Sequence, residues 1–167
     1  DDNGKIEDAD KRVYNRDPEA ILGMNNTFTY KNLSLSVLLY ARLGGYIQYD
    51  FNGLVTYEPA NWGDLDYWTP ENQEAKFPTP GNQLNYGNYG SALLYEKASY
   101  LKVKDITLSY NLPQSPLAKV GIENVKLYGS MKNYFTFSNI DNYDPERGGA
   151  ITFPLAKQLV FGVNVEF

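Results

Sequence analysis

Cysteine and histidine are both missing from this chain of 167 residues. Without cysteine it has no disulfide, no zinc–thiolate site and no thiol nucleophile. Without histidine it lacks the usual general base and the commonest metal ligand, so a Ser-His-Asp triad cannot be assembled from it. Positive charge is also scarce. Lys and Arg number 15 against 20 Asp and Glu, for a net charge of -5. With no basic cluster to track phosphates, nucleic acid is not an expected partner. No stretch approaches the ~18 consecutive apolar residues of a membrane helix. Membrane strands stay open, because such a strand needs only about 9–11 residues with alternate positions apolar. No secretory leader is visible, although an exported protein is made with one. The expectation is that it was removed by processing, or that Asp1 is not the natural start.

What is abundant is aromatic: 15 Tyr and 8 Phe. Aromatic and β-branched side chains suit a pleated surface, so the composition predicts a β-rich fold. The pattern agrees. After a polar run, ILGMNNTFTY and LSLSVLLYAR flank Lys31-Asn32. Met24, Phe28 and Tyr30 alternate with Asn25, Thr27 and Thr29, and Asn26 breaks the apolar side once. If Lys31-Asn32 is a two-residue turn, Tyr30 faces Leu33 and both apolar faces coincide. In SYLKVKDITLSYNLP, Leu101 and Val103 share one phase, while Ile106, Leu108 and Tyr110 take the other. A β-bulge at Lys104-Asp105 would reset the alternation within one long strand. In NLPQSPLAKVGIEN, Ser115 reads as a cap, Pro116 as a first helical residue and Gly121 as a stop. Alternation returns in VKLYGSMKNYFTF and again in QLVFGVNVEF, where Leu159, Phe161, Val163, Val165 and Phe167 share one side.

The reading is all-β, with about five antiparallel strands joined by alternately short and long connections, as in an outer-membrane barrel. The expected layout is a polar acidic loop at 1–21, a hairpin at 22–43, a long loop without regular structure at 44–96, and three strands over 97–167. The short connections would face the periplasm and the long ones the outside. The polar face, with Arg42, Lys126, Lys132 and Glu166, would line a wet lumen. Tyr30, Tyr100, Tyr110, Phe135, Phe137 and Phe167 fall near strand ends, where interfacial aromatics collect. A soluble β-sandwich with an aromatic ligand loop, acting as a binding or adhesin module, gives the same alternation and stands as the alternative.

Three stretches point further. ASYLKVKDITLSYNLP, GIENVKLYGSMKNYFTFSNIDNYDPERGG and the terminal QLVFGVNVEF resemble the C-terminal end of SusC/RagA-like TonB-linked outer-membrane receptors. DDNGKIEDAD and NNTFTYKNLSLSVLLYA are also similar to that family. One departure is Lys132-Asn133-Tyr134, where the family more often has Gln-Asn-Leu. The resemblance implies a plugged transmembrane barrel of about 22 strands in the outer membrane of a Gram-negative bacterium. It implies import of oligosaccharides or peptides, energy through TonB, and a SusD-like surface lipoprotein as lid. This chain would then hold only the last strands. The plug and the rest of the barrel would lie elsewhere, since five strands cannot close a membrane barrel. Phe161, Val163, Val165 and Phe167 would form the terminal strand recognised in barrel assembly, facing outer-membrane lipid. An enzyme is not expected.

Two loops carry candidate ligands. In DDNGKIEDAD, alignment on Gly4 puts Asp1 and Asn3 at the third and fifth positions of an EF-hand-like loop. Lys5 would offer its carbonyl and Asp10 would stand at the twelfth position, so Ca2+ is the candidate ion; a solvated acidic loop is the plainer account. In the long loop, Trp62, Tyr67 and Trp68 stand beside Asp64, Asp66 and Asn61. Aromatics next to carboxylates suit sugar rings or a protein partner, against the alternative of loop self-packing. Tyr143-Asp144-Pro145-Glu146 reads as a structural tight turn.

Overall fold

The fold is known from a computed structural model, which describes residues 11–49, 66–77, 79, 94–117, 121–140, 143–150 and 152–167. Its main body is one antiparallel sheet of five strands. In chain order these are β1 (Ala20–Tyr30), β2 (Leu33–Leu43), β5 (Tyr100–Asn111), β6 (Asn124–Ser138) and β7 (Gln158–Glu166). Spatial order follows the chain, β1-β2-β5-β6-β7. A smaller sheet pairs β3 (Tyr46–Gln48) with β4 (Tyr95–Lys97).

The hairpin forms as its alternation predicts. Tyr30 pairs with Leu33 across Lys31-Asn32, and Lys31 takes the left-handed conformation that the turn demands, at φ 55°. One rung then runs Phe28, Leu35, Leu108, Gly129, Phe161, and the next Tyr30, Leu33, Tyr110, Leu127, Val163. Apolar side chains thus share one face of the whole sheet. That face is bare, with Phe28 64% and Phe161 76% exposed. Gly129 leaves the space against which the Phe161 ring lies, 3.2 Å from where a Cβ would be. Across the other face runs a ladder of hydroxyls and amides. Thr29 and Ser34 share a hydrogen bond at 3.0 Å, Ser36 donates to Asn25 at 3.2 Å, and Ser130 donates to Asp105 at 2.7 Å.

The bulge falls where the alternation slips. Leu38 and Leu39 of β2 face Asp105 and Val103, so Lys104 is an extra residue in β5. A second irregularity was not visible in the sequence. Asp105 and Val103 face Lys132 and Phe135, so β6 holds Asn133 and Tyr134 where β5 holds Lys104 alone. Asn133 absorbs this at φ 58°, a conformation Asn tolerates better than most residues. Because β6 gains an even number over β2, its apolar positions stay in phase.

Three expectations need correction. The segment 44–96 is not free of regular structure. Gly44 and Gly45, at φ 76° and 77°, kink the β2 end and let the pair continue as β3 and β4. Ala98 N donates to Gly45 O at 3.0 Å across the kink. The short helix, α1 (Gln114–Leu117), opens one residue early, so Ser115 and Pro116 lie inside it rather than at its cap and first position. Proline is tolerated there because the first four amides of a helix have no intrahelical partner. Finally, Tyr100 is not an interfacial aromatic. Strand parity puts it on the polar face with Lys102, and it is 5% exposed.

Candidate functional site

The tight connections at Lys31-Asn32 and 112–123 lie at one end of the sheet, and the long ones cluster at the other. At that second end β3 and β4 stand against the return segment after β6. Ile47, Tyr49, Ala98 and Ile140 make a small buried core, with Tyr143 packed on it. The arm before β1 crosses the glycine kink. Tyr14 packs on Tyr46 at 4.4 Å, Asn15 O accepts from Tyr46 N at 2.9 Å, and Arg16 O accepts from Arg42 Nη2 at 2.8 Å.

Its polar centre is Lys102, 1% exposed on the inner face of β5. A buried ammonium is costly unless it is paired and hydrogen-bonded. The YDPE turn supplies the partners. Asp144 accepts from Lys102 Nζ through both oxygens, at 2.9 and 2.8 Å, and Glu146 accepts from it at 3.0 Å. Lys104, the extra residue of the bulge, hydrogen-bonds the other Glu146 oxygen and lies 5.4 Å over the Tyr40 ring. Asp144 also caps the single 3-10 turn Pro145–Arg147 by accepting from Glu146 N at 3.1 Å. Its second oxygen accepts from Leu155 N at 3.3 Å, which ties the far side of the segment to the same carboxylate.

Burial alone would raise both carboxyl groups. For Asp144 the Lys102 ammonium and the amides of Glu146 and Leu155 outweigh it, and for Glu146 the two lysines do. Both are held below the ordinary carboxylate value. YDPE is thus structural, as the sequence suggests, but it works through Lys102 and Lys104, which sequence reasoning left out. A signal was there: two lysines two apart in LKVKD and two acids two apart in YDPE have matching spacing.

Beneath this segment lies a cavity of about 480 Å³, walled by Thr136, Ser138, Tyr143, Pro154 and Lys157 among others. Lys157 Nζ stands 5.9 Å over the Tyr134 ring.

The aromatic loop is partly described. Residues 66–77 fold back on themselves, with Trp68 N donating to Phe77 O at 2.7 Å and Phe77 N to Asp66 O at 3.0 Å. Asp66 accepts from Asn72 Nδ2 at 2.8 Å and Lys76 N at 3.0 Å, and these two bonds, first that of Asn72, hold its carboxyl below the usual range. Its charge therefore serves the loop. Tyr67 and Trp68 stay about half exposed while Phe77 is buried. Lys76 pairs with Glu96 and fastens the loop to β4. Asn61, Trp62 and Asp64 lie outside the described residues, as do the calcium candidates Asp1, Asn3, Lys5 and Asp10. Phe161, Val163 and Val165 lie on the bare apolar face of β7, and Phe167 follows the strand, exposed.

In sequence and in fold the chain is similar to known proteins. TonB-dependent receptor P3 of Formosa agariphila is 32% identical over 149 residues, 87% of this chain and 15% of its own length. TonB-dependent receptor SusC of Bacteroides thetaiotaomicron is 27% identical over 173 residues, 99% of this chain and 17% of its own. The solved RagAB peptide importer in its closed-closed state superposes with a TM-score of 0.72 at 27% identity, over 90% of this chain and 17% of that one. Over most of its length the chain is similar to the SusC/RagA-like TonB-dependent receptors. No family model matches it. It spans 15–17% of the length of these relatives. The open sheet follows from that share, since only part of a closed β-barrel is present. Its bare apolar face is the face such a barrel turns outward, and its hydroxyl ladder is the inner wall.

Proposed function

We propose that this chain is the C-terminal wall of a TonB-dependent importer in the outer membrane of a Gram-negative bacterium. The observation that carries the proposal is the apolar face shared by all five strands, backed by a polar inner face, on a chain related to SusC and RagAB. A soluble sheet would bury that apolar side; a barrel wall gives it to lipid. The remaining strands, the plug and the TonB-contacting segment would complete the receptor. A SusD-like lipoprotein would cover the end that bears the long connections. Cargo would be an oligosaccharide or a peptide. Support for a peptide comes from the RagAB importer, and for a sugar from the half-exposed Tyr67 and Trp68 on a self-braced loop. Trp62 and Asp64 would belong to the same surface. Calcium remains the ion proposed for the acidic run through Asp1, Asn3, Lys5 and Asp10.

The test is to isolate the protein from outer membranes in detergent and to measure intact masses of all that co-migrates. A plug-bearing receptor, together with a lipoprotein, is expected. A chain of 167 residues, monomeric and folded without detergent, would sink the importer and favour a β-sandwich binding module. In the intact receptor, Trp68→Ala should lower uptake of the cargo at least severalfold if that loop touches it.

A further inference from the structure

The segment after β6 closes over the polar face at the end bearing the long connections, and its charged contacts gather in one cluster. Residues 143–150 and 152–155 hang on Asp144 and Glu146, and both carboxylates grip the same buried ammonium. Asp144 accepts four hydrogen bonds from three donors: two from Lys102 Nζ and one each from the amides of Glu146 and Leu155. The groups facing this centre are Lys102, Lys104 and Tyr100 from β5, Tyr40 and Arg42 from β2, and Asp144 and Glu146 from the segment itself. Below it lies the cavity walled by Thr136, Ser138 and Tyr143. Both acids sit on one short turn, so lifting that turn takes both away and leaves Lys102 a buried cation without a counter-charge.

We propose that this segment is a strap over the inner wall, latched by Lys102, and that it opens as a unit when the latch is broken. Opening uncovers Lys102 and Tyr100, which the closed strap holds at 1% and 5% exposure, and joins the cavity to the lumen. The inference rests on the barrel reading, since only there is this face an inner wall.

The test uses the intact receptor in detergent, with amine-reactive labelling of Lys102 and amide hydrogen exchange read on the same samples. In the wild type, Lys102 should label at least tenfold more slowly than Lys31, which sits in the exposed turn. The variant Asp144→Asn with Glu146→Gln should raise Lys102 labelling at least tenfold. Lys102→Met should raise exchange in residues 143–155 at least tenfold, while β1 and β2 keep their protection. Lys104→Met should change strap exchange less than about twofold, since Lys102 still grips both acids. Unchanged labelling and exchange in the latch variants would overturn the proposal. So would loss of protection in β1 and β2 together with the strap, because the ion pairs would then hold the sheet and not a local strap. Failure of the barrel reading shows separately: wild-type β1 and β2 would exchange freely in detergent.

Discussion

Two adjacent glycines allow a controlled measurement of how tightly the return segment is packed. Gly148 and Gly149 both sit in the left-handed region, at φ 69° and 85°. An alanine at either position pays roughly 1–2 kcal/mol for that conformation. Their surroundings differ sharply. A Cβ on Gly148 meets nothing within 4 Å, whereas a Cβ on Gly149 would stand 2.2 Å from the backbone oxygen of Gln48 and 3.3 Å from Ile47 Cδ1. The first contact is with the β3 backbone, so relief requires the two segments to part by about an ångström, and such overpacking costs roughly 1–3 kcal/mol. Gly149→Ala should therefore exceed Gly148→Ala by that amount, or roughly 5- to 150-fold in the local opening constant. The assay is amide exchange over residues 46–49 and 143–150 in the detergent-purified receptor. Equal exchange in the two variants would refute the close approach of Gly149 to β3.

Acidification gives a signed prediction. Asp144 and Glu146 titrate below their ordinary values of 3.8 and 4.5, so their contribution is present at neutral pH and is lost as pH falls through the depressed range. Exchange over 143–155, corrected for its intrinsic pH dependence, should rise below pH ~4 before β1 and β2 respond; a rise only above neutral pH would contradict the assignment. On the lipid face, Phe161→Arg should destabilise the refolded barrel by about 2–4 kcal/mol in a urea titration, while Gln158→Arg on the inner wall should cost less than about 1 kcal/mol. Equal costs would mean the faces are reversed. For the acidic run, calorimetric titration of the receptor with calcium chloride should show binding that Asp10→Asn removes; identical traces would leave that loop a solvated acidic segment.

Much of the wall is legible in the sequence because alternation is a local signal. Tyr30 and Leu33 reveal the turn between them, and the phase change from Val103 to Ile106 reveals the bulge in β5. The irregularity in β6 is silent for the same reason. Its two-residue excess over β2 leaves Met131 and Phe135 in phase, so nothing in the pattern marks Asn133. Tyr100 misleads because being near a strand end says nothing of which face a residue takes; its parity with Lys102 does. The latch is harder still. Lys102 and Asp144 are 42 residues apart, and only the folded return of the segment brings them together. Alternation also cannot tell an exposed lysine such as Lys132 from a buried one such as Lys102, because both simply occupy polar positions.

The unequal strands have a mechanical consequence. Along the line from Leu39 through Lys104 to Asn133, each strand gains one residue over its neighbour, so the sheet above that line is displaced by a step per strand relative to the sheet below. Crystals would call this a dislocation. Below it the wall follows one pitch, and above it another, while every outward side chain still points outward. A tube built this way can flare at its mouth without turning a greasy residue toward water. The fault also passes through Lys104, whose side chain reaches the acid of the return segment, so a place where the pitch changes is also a place where the rim is fastened.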